Sequence, residues 1–379
     1  MSGLLAFLSD YTIQNVALGA AILGVISGVL GCFAVLRQQS LLGDTLSHAA
    51  LPGICLGFIF AGTRELSAIL AGALLTGILA ALFMLALSRR TRLKTDAALG
   101  ISLSVFFAIG IVLLTYIQGT GNAAQGGLDT FLFGQAAAIL RSDIYVMGTI
   151  TLIGLGLVLA FWKEFKLVTF DPGFAGSLGM PVTVVETALT LLIALAVVVG
   201  LQMVGVVLMA AMVIAPAAAA RQWVRSLEAM VILSALMGII AGVSGALVSA
   251  LATGLATGPL VVLAASALVL VSIFLAPERG LLWSGLRRWR AERHLRGRQV
   301  LATMYELAAA HDNPAYPAEQ SMLDAYHGLG TGKVLHRLQG RGLVRRTTHM
   351  PQEGIHWELT EDGRHEARRS LAALGKDES

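Results

Sequence analysis

The chain has 379 residues, 56% of them hydrophobic and only 13% charged, with a formal net charge of +4. A soluble domain carries about 25% charged residues, so the deficit assigns most of the chain to lipid, and the small net charge is no footprint for nucleic acid. Two cysteines, Cys32 and Cys55, both in apolar segments, exclude a disulfide framework and read as small buried hydrophobes.

The charges are unevenly spread. Residues 1–279 hold 12 Lys/Arg and 11 Asp/Glu, whereas the last 100 hold 15 and 12, an ordinary soluble density. The sequence therefore divides into a transmembrane part (1–277), a basic connecting helix (278–299) and a water-facing domain (300–379). The opening MSGLLAFLSDYTIQ has no basic run before its apolar stretch and is interrupted by Asp10, so no cleavable signal peptide is expected.

A membrane-spanning helix needs about 20 apolar residues. Candidate spans are 12–36, 42–62, 67–88, 97–117, 143–162, 182–201, 203–220, 229–252 and 258–276. The stretch 182–220 offers only Gly200, Gln202 and Gly205 as a break. Basic loops face the cytoplasm. Placing SRRTRLK (88–94), WKEFK (162–166) and RQWVR (221–225) on that side, with the uncharged 118–127 outside, requires two segments in 182–220. The result is about nine crossings, or eight with one broken helix, and a cytoplasmic C-terminal domain. Gly24 and Gly28, and Gly254 and Gly258, stand at the spacing at which membrane helices approach closely.

Within the second span lies SLLGDTLSHAALPG (40–53). Asp44 and His48, four residues apart, share one helical face. A carboxylate with an imidazole suits Mn²⁺, Fe²⁺ or Zn²⁺, and an ionisable pair inside a span is a functional candidate by default. Pro52 has no N–H, so the His48 carbonyl loses its helical partner and is free to face an ion or water. Ser47 and Gly43 keep the surroundings small and polar. The other reading makes Asp44 a helix cap with Arg37 as partner. Glu186, just inside a later span, either faces the pathway or sits at the interface.

At these residues the sequence resembles the ABC-transporter permeases for manganese, zinc or iron. The resemblance covers about 10–276 and rests on five blocks in the family's order: LRQQSLLGDTLSHAALPGICLGF, TDAALGISLSVFFAIGIVLL, LDTFLFG, KLVTFDPGFAGSLGMPV and LQMVGVVLMAAMVIAPAAAA. It implies that Asp44 and His48 hold the ion along the translocation path; Ser47, Pro52 and Glu186 are further candidate pathway or gating positions on their own chemistry, not through the resemblance. It also implies a permease dimer, of one chain or of two paralogues, with a cytoplasmic ATPase and an extracytoplasmic metal-binding protein as partners. No permanently bound cofactor is implied. The absence of a thiolate beside the pair leans toward manganese.

The segment EFKLVTFDPGFAGSLGMP (164–181) is too apolar for a linker. A short helix over about 172–179, entered through Pro172 after Asp171, would present Phe174, Ala175 and Leu178 to a partner groove. In this family it resembles the coupling helix that docks on the ATPase; the alternative is a helix lying on the membrane surface.

Beyond RRWRAERHLRGRQ (287–299) the pattern becomes helical from 300, then around 318–327 and 331–340. Two strands joined by PQEG follow, and then a closing helix that Thr360 would cap. This order is that of a winged helix, and the hairpin is similar to the wing of manganese- and iron-dependent repressors. Its candidate recognition helix carries only Lys333, Arg337 and Arg341 as basic residues, so nucleic acid is not an expected partner. The six arginines of 286–298 suit anionic lipid headgroups. GLGTGKV (328–334) lacks the spacing and hydroxyl residue of a P-loop, so the chain has no ATPase of its own. Seven of the eight histidines lie after residue 290, none in tight ligand spacing; they read as solvated surface groups or, more sharply, as a cytosolic metal-sensing site.

The sequence thus predicts an all-α polytopic membrane protein of about eight or nine transmembrane helices, with a small cytoplasmic α+β winged-helix domain. It is expected in the plasma (inner) membrane as the permease subunit of a divalent-metal importer. The rival reading, a membrane-anchored metal-responsive transcription regulator, needs only one anchor span.

Overall fold

The computed structural model describes residues 11–62, 65–119, 134, 139–251, 256–277, 280–328, 330–348 and 354–373. The expected outward loop (most of 118–127), the first three residues of the PQEG turn, Gly254 and His349 lie outside them, as do the side chains of 286–294 with four of the six arginines. The chain divides into two compact units, Met1–Leu281 and Leu282–Ser379.

The first unit is helical: α1 (Tyr11–Leu36), α2 (Leu42–Ala61), α3 (Leu66–Arg90), α4 (Thr95–Gly119), α5 (Arg141–Ala160), α6 (Trp162–Phe170), α7 (Pro172–Ser177), α8 (Val182–Val204), α9 (Val206–Arg221), α10 (Leu227–Leu251) and α11 (Thr257–Leu275). Eight of these are long and apolar enough to cross a membrane. The expected ninth crossing is α9, whose 16 residues reach about 24 Å, short of the ~30 Å hydrocarbon core. Gly205 separates α8 from α9 with φ 85° and ψ 167°, a conformation open to glycine and strained for other residues.

Small residues decide how the helices meet. Gly24 and Gly28 of α1 lie against the backbone of Gly238 and Ser234 on α10; a methyl at Gly28 would stand 2.6 Å from the Ser234 carbonyl oxygen. The Ser234 hydroxyl donates to the Gly28 carbonyl at 2.8 Å, closing the same seam. Gly53 and Gly57 of α2 meet Gly72 and Ala68 of α3 in the same way. Lipid gives helices no hydrophobic drive to associate, so such close backbone contact and interhelical hydrogen bonding hold the bundle. Cys32 and Cys55 are buried within it as free thiols, as their apolar surroundings suggested.

The second unit comprises α12 (Leu281–Ala310), β1 (Ala318–Glu319), α13 (Gln320–His327), α14 (Thr331–Gly340), β2 (Val344–Thr347), β3 (His356–Leu359) and α15 (Glu361–Ala373). The three strands form an antiparallel sheet in the order β1-β3-β2, with Ala318 opposite Trp357 and Val344 opposite Leu359. Leu301, Leu323, Leu335 and the fully buried Trp357 form its core. Thr360 caps α15, its hydroxyl accepting from the Gly363 N–H at 3.1 Å. Two features differ from the sequence reading. The connecting helix and the helix from 300 are one continuous α12, and β1 occupies the start of the segment expected to be helical from 318.

Candidate functional site

The helix bearing the Asp–His pair begins at Leu42 with no side-chain cap at Leu41. Asp44 sits in its first turn, and its Oδ1 lies 3.3 Å from His48 Nε2. The capping alternative is not realised, nor is the pairing of Asp44 with Arg37: that guanidinium is bound to Glu186, Nη2 to Oε1 at 3.0 Å. The two side chains are 35% and 18% exposed, so the pair is sheltered without being sealed. The His48 ring stands edge-on to Phe107 of α4 at 4.7 Å, and its Nδ1 is buried without a partner among the described residues.

Pro52 lies inside α2 and is buried. Its missing N–H, one turn on from His48, leaves the His48 carbonyl without its usual donor. Close packing of Gly53 against Gly72 supports the helix where this bond is lost. Ser47 is fully buried and its hydroxyl donates to the Gly43 carbonyl at 2.7 Å, so it is occupied within its own helix. Among the described residues no group of three or more His, Cys, Asp or Glu is placed to hold a metal. A divalent ion at the pair would complete its shell with water, backbone carbonyls or a second copy of the chain.

Glu186 lies 22% exposed near the start of α8, and both its oxygens are taken: Oε1 by Arg37 and Oε2 by Arg89 of α3 at 2.6 Å. Apart from the rarity of its charges, nothing in the sequence points to this three-helix junction.

The short apolar segment forms α7, bounded at both ends. Asp171 accepts the Phe174 N–H at 2.8 Å, and Pro172 occupies the first turn, where its missing N–H costs nothing. At the other end Gly179 has φ 80° and the Met180 N–H reaches the Ala175 carbonyl at 3.2 Å, a Schellman closure. Phe174 and Leu178 are 53% and 60% exposed. Ala175 differs from the expected shared face: it is fully buried, because the position after Phe174 turns inward.

In the second unit the histidines are dispersed. His311 stacks on Tyr316, His336 stands edge-on to Trp357, and His356 is buried in β3, a departure from uniformly solvated side chains. His327 Nε2 lies 2.8 Å from the Thr303 hydroxyl, and partial burial pushes its pKa down. At the GLGTGKV segment the first helical N–H, of Thr331, is already bound by the Asp324 carboxylate at 3.0 Å, so the turn offers no free phosphate cradle there.

The model of the ABC 3 transport family matches residues 9–276. The chain is 48% identical over 293 residues to the manganese transport system membrane protein MntC of Bacillus subtilis, covering 77% of this chain and 67% of that protein. It is 49% identical over 291 residues to the zinc transport system membrane protein TroC of Treponema pallidum, covering 76% and 97%. Among solved structures, PsaBC from Streptococcus pneumoniae in complex with Fab matches with a TM-score of 0.64 and 34% identity, covering 73% of this chain and 97% of that one.

Proposed function

The chain belongs to the ABC 3 transport family and is the membrane permease subunit of a divalent transition-metal importer; we propose that the ion passes between Asp44 and His48. The observation that carries this reading is the 3.3 Å carboxylate–imidazole pair on one face of α2, beside a carbonyl freed by Pro52. His48 is the only histidine before residue 294. Two ligands per subunit favour a weak, transient site, which a transport path needs so that the ion leaves as readily as it enters.

The cargo we favour is Mn²⁺. Carboxylate, imidazole, carbonyl and water suit it, and neither thiol joins the pair: Cys32 donates to the Gly28 carbonyl, and Cys55 lies toward that of Gly110. Relatives named for manganese and for zinc both stand near half identity, so the chemistry of the ligands rather than the likeness carries this choice. Ser47 acts by shaping α2 through its bond to Gly43, and Pro52 by releasing the carbonyl.

The ATPase comes from a cytoplasmic partner chain that docks on Phe174 and Leu178, exposed apolar side chains in and just after a helix fixed by Asp171 and Pro172. An extracytoplasmic binding protein delivers the ion, and a second permease copy completes the path. The second unit is a cytoplasmic winged helix, supported by its order of helix, strand, two helices, hairpin and helix. Its near balance of acidic and basic residues favours a regulatory or dimer-stabilising role over DNA reading, with the basic part of α12 toward anionic lipid.

Uptake of radioactive Mn²⁺ by cells expressing Asp44→Ala or His48→Ala tests the ion path. Each variant inserts and assembles normally and loses uptake by at least ~100-fold, beyond the loss typical of an outer-shell partner. Wild-type uptake by either one at equal expression ends the proposal.

A further inference from the structure

Glu186 joins three helix ends. Its Oε1 accepts from Arg37, which directly follows α1, and its Oε2 from Arg89, the penultimate residue of α3. Arg89 Nη2 also reaches the Thr183 carbonyl of α8 at 3.3 Å. The Arg37 side chain is only 8% exposed, and its Nη1 is buried with no partner among the described residues. One carboxylate therefore serves two guanidinium groups, and among the described residues Arg37 has no second anion partner. A partly buried charge in this position is held by its partner and disturbed by its loss.

On one side the clasp leads to the docking segment. Glu186 is the fifth residue of α8, which follows α7 after four residues. The preceding helix, α6, is fastened to the end of α1 by Phe33, whose ring stands edge-on to Trp162 at 6.1 Å and Phe165 at 6.2 Å.

On the other side it leads to the ion pair. Gln38 closes α1 in the left-handed conformation, φ 57°, with the Gln38 N–H on the Val35 carbonyl and the Gln39 N–H on that of Ala34. This is a Schellman turn built without glycine, so glutamine holds the left-handed conformation at some cost. The Leu42 N–H then bonds the Gln39 carbonyl, and α2 begins, with Asp44 in its first turn. A short hydrogen-bonded turn thus joins Arg37 to Asp44.

We propose that Glu186 is a positioning residue for transport: it carries movement of the docking segment through Arg37 and the Gln38 turn to the Asp44–His48 pair. It is not an ion ligand in this arrangement, because each of its oxygens faces a guanidinium group whose positive charge opposes a cation. The proposal rests on the docking role of Phe174 and Leu178. It supplies what a coupling claim needs, a contiguous set of bonded groups between two sites, and it requires a measurement of coupling itself.

That measurement is Mn²⁺ transported per ATP hydrolysed, in proteoliposomes of the full permease with its cognate ATPase. For Glu186→Gln the complex assembles and hydrolyses ATP, and the ratio falls about tenfold or more, the scale expected when a buried charge contact is broken. Arg89→Gln lowers it less, Glu186→Asp recovers part of it, and the double variant Glu186→Gln/Arg89→Gln is no worse than Glu186→Gln. A merely structural role would reduce yield and thermal stability while leaving the ratio unchanged, and an unchanged ratio in Glu186→Gln overturns the proposal. If Glu186→Gln cannot be purified, Arg89→Gln decides alone by the same criterion. Full retention of the ATPase by Phe174→Asp would mark failure of the docking role, separately from failure of the clasp.

Discussion

Asp44 Oδ1 lies 3.3 Å from His48 Nε2, one turn along α2, while Arg37, the nearest preceding cation in sequence, is bound to Glu186 instead. Had Arg37 closed on Asp44, the carboxylate would be neutralised and unavailable to a cation. Its diversion to another helix leaves a carboxylate and an imidazole facing each other with no fixed positive charge between them. That is the electrostatic condition for admitting a divalent ion.

Pro52 bears on the same site through the backbone. Pro52→Ala restores an N–H to α2 and returns the His48 carbonyl to the helical ladder. Mn²⁺ uptake falls a few-fold, about the cost of one backbone oxygen turned away from the path, while insertion and expression are retained or improved. A concentration series of uptake shows whether the loss lies in apparent affinity, as a lost ion contact requires.

The docking role proposed for α7 has a separate test. Phe174→Asp and Leu178→Asp each place a carboxylate in a contact meant for apolar groups, at a cost of several kcal/mol. Both variants retain membrane insertion and lose co-purification with the ATPase. Ala175→Asp, by contrast, disturbs α7 itself, because Ala175 is fully buried in the permease, so that variant loses yield rather than partner alone.

Much of this was legible in the sequence, for identifiable reasons. Spans are runs of apolar residues about as long as the bilayer is thick, and the order of the helices follows from the runs. The Asp44–His48 pair shows itself because four residues make one helical turn. The clasp does not show itself: Arg37 and Glu186 are separated by 149 positions, and Arg89 and Glu186 by 97, so only the packed bundle brings them together. Strand β1, two residues long, has no periodicity to read. The continuity of α12 was hidden because a shift from charged to apolar-periodic residues near 300 resembles a boundary, although neither composition interrupts a helix. The sequence places Ala175 with Phe174 and Leu178 on one helix face, but a small apolar residue serves equally well as packing, and Ala175 is buried.

His327 gives the second unit a pH dependence of known sign. Burial lowers its pKa in the folded state, so the folded domain favours the neutral ring and the unfolded chain takes up the proton more readily. The stability it contributes is present above the ordinary histidine pKa of about 6.5 and is lost as pH falls from there toward the lowered folded value. Hydrogen exchange of α13 and α14 in the full chain, followed from pH 7 downward, speeds up over that interval. His327→Gln flattens that part of the profile; an unchanged profile in the variant assigns the dependence to other groups.

Direct contact of the transported ion with His48 is read by pulsed electron paramagnetic resonance of Mn²⁺ bound to the assembled permease in detergent. Nitrogen modulation from an imidazole ligand is expected in the wild-type protein and is absent in His48→Ala at equal protein and metal loading. Undiminished nitrogen modulation in His48→Ala, or none in the wild type with Mn²⁺ bound, would contradict it.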